Sequence, residues 1–250
     1  MVAPVRVESI DAVSEPENGH VLHLDCGTQL MARTVLIAAG VRWRKLEADG
    51  ADRFEAAGVH YACTAVESVL YDQQDVAVVG GGNSAGQAAM YLAECCDTRT
   101  VHLLVRSRLG PAMSNYLVER IHETPNIRVH EGTEIGALHG ERRLESLTLK
   151  SGDTIPAAAV FVFIGAEPGC DWLPAGIKRD KLGYIITGVE ALQSGHWPLQ
   201  DREPCALETT VPGILAAGDI RSGSTKRVGF AVGDGSLAVT CVHKLTAIRP

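Results

Sequence analysis

The 250-residue sequence has few aromatic residues, no excess of basic residues and no long apolar run. Acidic residues outnumber basic ones by 30 to 23, which gives a formal net charge of −7. Nucleic-acid-binding proteins normally carry a basic surface, so nucleic acid is not expected as a partner. The longest apolar run, residues 157–165, is too short to span a bilayer, and no membrane partner is expected.

Cysteine patterns that would indicate a disulfide framework or a zinc site are also missing. The seven cysteines are an odd number, and no two of them have C-x-x-C spacing. We therefore predict no metal site. Residues 1–6 show no signal-peptide pattern, so the predicted compartment is the cytoplasm, where thiols stay reduced.

What remains is a globular composition, with 46% apolar residues, 21% charged residues, 5% aromatic residues and 26 glycines. Strand patterns at 5–7, 20–25 and 34–40 precede a strand–helix–strand pattern at 75–79, 84–94 and 100–105. Asn18-Gly19 resembles a hairpin turn, and residues 41–58 are interpreted as a hinge. Later patterns predict a helix at 116–123, strands at 127–130, 144–150, 160–164 and 214–217, and a helix at 235–245. This order predicts an α/β fold.

The turn after the strand 75–79 fits the dinucleotide pattern G-x-G-x-x-G/A. Its residues are Gly80, Gly81, Gly82, Asn83, Ser84 and Ala85. In such turns the first glycine allows a tight bend, the second lets the backbone approach a pyrophosphate, and the small last residue lets the helix pack on the strand. The helix N-terminus then offers unpaired N–H groups to the phosphates. The alternative is a Gly-rich turn without a ligand.

The end of the next strand indicates which nucleotide would bind. An NAD site would have Asp or Glu there to hold the ribose 2′-hydroxyl. This sequence instead has Arg106 and Arg108, and arginine binds phosphate through paired hydrogen bonds. We therefore predict NADPH rather than NADH, with a solvated basic turn as the alternative.

The same turn contains a second motif. Residues 82–86 satisfy G-x-S-x-G, the nucleophile elbow of α/β-hydrolases. Ser84 would be the nucleophile, His243 the base, and Asp219 or Asp234 the orienting acid. No His-Gly-Gly oxyanion segment precedes the elbow, so a serine esterase or lactonase is the second choice.

Several motifs, taken in order, resemble the low-molecular-weight thioredoxin reductases, which are flavoprotein disulfide reductases with two dinucleotide-binding domains. The segment 35–40 resembles the strand ending in Ala-Thr-Gly that leaves the FAD domain, and 80–85 matches the NADPH turn. Residues 161–165, followed by Pro168, resemble the strand that returns toward the flavin domain. The segment 212–219 matches the second FAD motif, and 233–239 matches the helix after it.

This resemblance implies a domain arrangement and roles for further residues. Residues 46–167 would form a Rossmann-like, three-layer NADPH-binding domain, while 1–45 and 168–250 would form an incomplete FAD-type domain with a β-meander. The implied cofactor-binding residues in addition to the NADPH turn are Gly165, Gly218, Asp219, Lys226 and Arg227. Asp219 would bond the flavin ribityl chain, and Lys226 and Arg227 would lie beside the flavin pyrimidine. The alternatives are a turn carboxylate and a solvated basic pair.

Two departures from the family pattern limit what the resemblance implies. Ala62 and Ala65 occupy the positions of the family's redox dithiol, and Cys63 lies alone between them. One cysteine cannot provide both the attacking and the resolving thiol of an exchange reaction. The family's first G-x-G-x-x-G turn, which binds the ADP half of FAD, is also missing. A truncated reading frame, a fragment and a natural short form all fit this.

Three functional hypotheses follow. The first is a flavoprotein reductase that passes hydride from NADPH toward FAD and an external acceptor or partner protein. The second is an NADP-binding module without turnover, because FAD binding is doubtful without the missing turn. The third is the Ser84 hydrolase. Since an incomplete flavin domain would expose an apolar face, we also expect a homodimer.

Overall fold

The computed structural model describes residues 5–13, 19–55 and 57–247. Two compact units make up the chain, one formed by 1–42 with 166–250 and the other by 43–165. Asn18 of the predicted hairpin turn lies outside the described residues.

The strands are β1 Val7–Asp11, β2 His20–Leu24, β3 Gln29–Ala32, β4 Val35–Ile37, β5 Arg42–Trp43, β6 Val59–His60, β7 Val76–Val79, β8 Val101–Val105, β9 Ile127–Glu131, β10 Ile135–His139, β11 Ser146–Leu149, β12 Thr154–Pro156, β13 Ala159–Val162, β14 Ala166–Glu167 and β15 Ile214–Ala216. The α-helices are α1 Ala65–Leu70, α2 Asn83–Cys95, α3 Asn115–Glu123, α4 Gly188–Gln193 and α5 Val228–Ala247. Short 3₁₀ turns occur at Asp52–Phe54 and Gly218–Ile220.

The unit 43–165 is built around a five-stranded sheet in the order β6-β13-β7-β8-β9, and its strands pair in parallel. Strands β7, β8 and β13 consist of Val, Ala, His, Leu and Phe, and every residue of β8 is buried, as expected for a sheet covered on both faces. Helices α2 and α3 cover one face through Leu92 and Leu117. The antiparallel sheet β10-β11-β12 covers the other face through Leu147 and its neighbours. The predicted α/β fold with a parallel sheet is confirmed.

The unit formed by 1–42 and 166–250 contains two smaller sheets. Strands β1, β2 and β3 form an antiparallel meander, and β4 pairs in parallel with β15. Ile10, Ile37, Ile185 and Ile214 belong to the main core of this unit. Helix α5 packs Ala238 and Cys241 against Leu215 and Ala217 in a second core cluster.

Element boundaries differ from the predictions where packing outweighs local signals. Helix α5 begins at Val228, earlier than the predicted residue 235, and it continues through Gly233 and Gly235. Strand β4 ends at Ile37, and the following segment reaches Gly40 in the left-handed region at φ +64°. The prediction did not include helices α1 and α4 or the short strands β3, β5, β6, β10, β12 and β14. A capping box at Thr64 and Glu67, visible in the sequence as Thr-x-x-Glu, marks the start of α1.

Candidate functional site

The turn between β7 and α2 is shaped by Gly80. This residue has φ +143°, and a Cβ there would lie 2.4 Å from the carbonyl oxygen of Phe163. The N–H of Phe163 also donates to the carbonyl of Val79 at 2.7 Å, so the end of β13 lies against the turn. Any side chain at Gly80 would therefore clash with backbone, and the fold itself requires this glycine.

Gly82 is not required by the fold in the same way. It is the N-cap of α2 with φ −100°, a conformation open to other residues, and a Cβ there would meet its nearest neighbour, the oxygen of Ala112, at 3.7 Å. No side chain caps α2, and the backbone at Gly82 forms an isolated parallel bridge with Ala112. The first-turn N–H groups that this bridge does not use are left for other partners. A small N-cap beside unpaired N–H groups leaves room for an anion such as a pyrophosphate.

The remaining residues of the turn have separate roles. Asn83 accepts hydrogen bonds through Oδ1 from the backbone N–H and the hydroxyl of Ser114, at 2.9 and 3.1 Å, and so connects the turn to the start of α3. Ala85 is fully buried, and its Cβ would be 3.1 Å from a Cβ at Gly80. Gly81 faces Val105, whose Cγ1 would be 3.1 Å from an added Cβ. These contacts place α2 tightly on the sheet.

Arg106 and Arg108 lie directly after β8, the strand next to β7. Both are exposed, and within the described residues neither guanidinium makes a hydrogen bond or an ion pair. In this unit the carboxyl ends of β7 and β8 are adjacent, because Val79 is paired with Leu104. The two arginines therefore follow the strand beside the glycine turn without a hydrogen bond or ion pair among the described residues, although the charge of Arg106 helps to lower the pKa of Glu134.

Cys63 lies just before α1, in the same unit. It is partly buried against the core that includes α2, and burial, followed by the charge of Glu67, raises the pKa of its thiol to about 11. Thr64 caps α1: Val66 N–H donates to its hydroxyl, and its own N–H donates to Glu67 at 2.9 Å. A thiol with so high a pKa is a poor nucleophile at neutral pH.

The unit formed by 1–42 and 166–250 contains the flavin-type segment, residues 212–227, which begins with the predicted second FAD motif. Gly218 has φ +75°, and its N–H donates to Asp234 Oδ2 at 2.9 Å. Arg221 binds both oxygens of Asp234, through Nε at 3.0 Å and a second nitrogen at 3.2 Å. Asp219 follows Gly218 in the chain, and its Oδ1 is buried with no hydrogen-bond partner among the described residues. This unpaired buried acceptor suits a ligand hydroxyl.

Two basic residues follow this segment. Lys226 places Nζ 4.1 Å from the ring centroid of Tyr184, and Arg227 is exposed. Gly165, the last residue of the unit 43–165, has φ +94°, and nothing within 4 Å would meet a Cβ there.

The acid and the base proposed for the hydrolase are not paired in the unit that contains them. Ser84 is exposed, and its side chain has no hydrogen bond among the described residues. Asp219 and His243 belong to one unit, yet no hydrogen bond joins them in the part of the chain that the structure describes. Asp234 is occupied by Arg221 and Gly218. An acid–histidine pair is therefore absent from these residues, and the hydrolase alternative has no support.

Three further observations limit the sites available. A second match to the dinucleotide pattern, residues 233–238, lies inside α5 and so does not form a turn. Among the described residues, no group of three or more His, Cys, Asp or Glu side chains is placed to hold a metal ion. No helix in those residues has the length and apolar content needed to cross a membrane.

Together, the parallel sheet, its glycine turn and the late Gly218–Asp219 segment define a protein with dinucleotide-binding folds. Residues 6–235 match the model of the pyridine nucleotide-disulphide oxidoreductase family, and the chain belongs to that family. It is thioredoxin reductase-like within the family. It is 33% identical over 229 residues to the thioredoxin reductase of Mycoplasma pneumoniae, covering 89% of this chain and 66% of that protein.

Two other comparisons extend this result. The NADH dehydrogenase of Ferdinandcohnia aciditolerans is 29% identical over 222 residues, which cover 87% of this chain and 39% of that protein. The chain thus spans less than two thirds of the length of both curated relatives. The crystal structure of Lactococcus lactis thioredoxin reductase superposes with a TM-score of 0.71 at 24% identity, covering 97% of this chain and 74% of that one, which shows a shared fold.

Proposed function

We propose that this protein is an NADPH-dependent oxidoreductase of the thioredoxin reductase type that passes hydride toward FAD and then to an external acceptor. The observation that carries the proposal is Gly82, a glycine that the fold does not require, beside the uncapped start of α2. Arg106 and Arg108, exposed after the neighbouring strand, supply the matching positive charge.

Backbone N–H groups and two charged side chains would bind NADPH. The first-turn N–H groups of α2 would bind the pyrophosphate, and the two arginines would bind the ribose 2′-phosphate. The alternative is NADH, which the name of the Ferdinandcohnia relative mentions. No acidic side chain occupies residues 105–108 to bind a free 2′-hydroxyl, which favours NADPH.

Calorimetric titration of the full chain with NADPH and NADH tests the nucleotide preference. The double variant Arg106→Ala/Arg108→Ala should lose at least about tenfold in NADPH affinity, because charged hydrogen bonds are removed, while NADH affinity stays nearly unchanged. The matched control is Arg142→Ala/Arg143→Ala, which removes the same charge from an exposed loop of the same unit. Equal affinity of the unmodified protein for both nucleotides would refute the NADPH assignment.

The flavin-type segment fits one end of FAD. The unpaired Asp219 Oδ1 would accept a ribityl hydroxyl, and Lys226 and Arg227 would place positive charge near the ring. When both cofactors are bound, the nicotinamide supplies a hydride and the flavin accepts it. This 250-residue sequence contains no second glycine-rich strand–turn–helix for the ADP half, so we propose that FAD binds weakly to it.

We propose that electrons leave without an internal dithiol, because Ala62 and Ala65 replace the family's cysteine pair. The acceptor would be an external molecule or a partner protein. The seven cysteines are free in the structure, which fits our proposal of a cytoplasmic protein.

An NADP-binding module without turnover remains the second candidate. The observation that favours it is the missing glycine-rich turn for the ADP half of FAD. NADPH-driven reduction of ferricyanide, measured with and without added FAD, separates the two. FAD-dependent reduction supports the oxidoreductase, whereas NADPH binding without any reduction supports the module.

We also propose a homodimer formed through the edge of β4. Within the described residues this strand pairs only with β15, and Leu36 remains 43% exposed. A cavity of about 790 Å³, lined partly by Leu36, Ile37 and Trp172, opens beside that edge. Strand edges of this kind pair readily with a second copy. Light scattering should show a dimer that Leu36→Lys dissociates, and a monomer at all concentrations would refute it.

A further inference from the structure

Cys205 and Cys241 place two thiols at one core cluster of the unit formed by 1–42 and 166–250. Cys241 lies on α5 and is 3% exposed, whereas Cys205 is only partly buried. Cys241 belongs to the core cluster of Leu207, Leu215 and Ala238, and Cys205 packs against that cluster. Cys241 is also close enough to help raise the pKa of the Cys205 thiol. No functional role proposed above uses either thiol.

The surrounding structure fixes both cysteines in place. The N–H of Cys205 donates to the carboxylate of Glu208 at 2.9 Å, and its carbonyl accepts from the N–H of Glu208 at 2.9 Å. Glu208 is fully buried and bound by Arg202. Cys241 is one of the two buried residues of α5, beside Ala238. Backbone hydrogen bonds therefore hold Cys205, and helix packing holds Cys241, at the same core cluster.

We propose that Cys205 and Cys241 are a redox-active dithiol that closes to a disulfide by exchange with a low-molecular-weight disulfide. The Cys205 thiolate attacks one sulfur of that molecule, whose sulfur–sulfur bond breaks and releases one half as a thiolate. The Cys241 thiolate then attacks Cys205 in the mixed disulfide, the new bond forms, and the second half leaves. Two protein thiols are oxidised, one small disulfide is reduced to two thiols, and their protons pass to the released thiolates.

The order of attack follows from exposure, since only Cys205 is partly accessible. Burial, followed by the neighbouring Cys241, raises the pKa of Cys205 to about 11. The thiolate fraction at neutral pH is small, so the exchange should be slow there and should accelerate about tenfold per pH unit below the pKa. The closed bond would bridge the chain around the segment that holds Gly218, Asp219, Lys226 and Arg227.

The test is oxidation of the native full chain with glutathione disulfide at pH 7.5 and 8.5, followed by alkylation, trypsin digestion and mass spectrometry. The expected product is a linked pair of peptides, 203–221 and 228–244, that dithiothreitol separates and that forms about tenfold faster at the higher pH. Cys241→Ala should instead trap Cys205 as a mixed disulfide with glutathione. Cys205→Ser should leave Cys241 alkylated only after unfolding.

Cys170→Ser is the matched control, because Cys170 is also a buried cysteine of the same unit but lies in the other core cluster. It should form the linked peptides at the same rate as the unmodified chain. Recovery of Cys205 and Cys241 as separate alkylated peptides, after the exposed Cys26 has formed its mixed disulfide, would overturn the proposal. So would linked peptides that appear only after urea unfolding. None of these results depends on nucleotide binding.

Discussion

Arg202 binds the buried carboxylate of Glu208 through two parallel hydrogen bonds, each 2.8 Å long. The same carboxylate accepts the N–H groups of Cys205 at 2.9 Å and Gly213 at 2.7 Å. Four donors thus satisfy a side chain that has no solvent exposure. This arrangement fixes the segment that leads into β15 and, with it, the position of Cys205.

Removing Arg202 should destabilise the fold strongly. Arg202→Ala leaves the carboxylate of Glu208 buried without its counter-charge, and we expect a loss of about 3–5 kcal/mol in the free energy of unfolding. Urea denaturation measures this loss. The control is Arg120→Ala, which breaks an exposed pair with Glu94 and should cost less than about 1 kcal/mol. Equal losses in the two variants would contradict the structural role of the buried pair.

Alanine at two glycines of the β7–α2 turn should have opposite consequences. Gly80→Ala forces a Cβ against the Phe163 carbonyl and should prevent stable folding. Gly82→Ala has room for its methyl group, so the melting temperature should hardly change, while NADPH affinity should fall at least about tenfold because the pyrophosphate loses its close approach. Calorimetry and thermal melting check both results. Unchanged NADPH affinity in Gly82→Ala would remove the main support for the nucleotide site.

Thioredoxin should not be reduced at a useful rate. The positions of the family dithiol hold Ala62 and Ala65, and the thiol of Cys63 has a pKa of about 11. Any NADPH-driven dye reduction should be the same in Cys63→Ala as in the unmodified protein. An insulin-coupled assay with thioredoxin checks this. Strong thioredoxin reduction that disappears in Cys63→Ala would show that a single thiol suffices.

FAD should bind weakly and should be lost on gel filtration. Asp219→Ala should weaken the remaining affinity further, because it removes the buried acceptor that suits a ribityl hydroxyl. Asp201→Ala, at an exposed position of the same unit, is the control and should leave flavin affinity unchanged. Flavin fluorescence quenching measures both. Stoichiometric FAD that stays bound through gel filtration would show that another segment or chain binds the ADP half of FAD.

Acid should destabilise the parallel-sheet unit through His102. Burial, followed by the neighbouring His130, lowers the pKa of His102 to about 4, with Arg128 acting in the same direction and Asp75 opposing it. The unfolded chain takes up the proton near pH 6.5 and the folded chain does not, so stability is full above that pH and declines as the pH falls toward 4. Between pH 7 and 5 the loss should be about 2 kcal/mol.

His102→Gln should remove most of this pH dependence, as measured by urea denaturation at each pH. His122→Gln, at an exposed position on α3, is the control and should keep the dependence. The same slope in His102→Gln as in the unmodified protein would place the acid sensitivity elsewhere, for example at His20 or His60, whose pKa values burial also lowers.

The sequence by itself determined the features that consecutive residues encode. The glycine turn at 80–85, the strand before it and the helix after it follow from local conformational preference, and the two arginines follow their strand directly. The start of α5 could not be predicted in this way. Gly229, Gly233 and Gly235 indicate a break, but the packing of Ala238 and Cys241 against β15 supports a continuous helix.

Only the tertiary structure decided which distant residues meet. The turn pattern indicates that glycine is needed at Gly80, but only the fold shows that the carbonyl of Phe163 fills the space. The order Ser84, Asp219, His243 fits a hydrolase in sequence, yet Asp219 and His243 make no hydrogen bond in the described structure. Cys205 and Cys241 show no spacing motif, and helix packing brings both side chains to one core cluster. Local patterns report backbone conformation, whereas these contacts depend on how separate elements pack to bury their apolar faces.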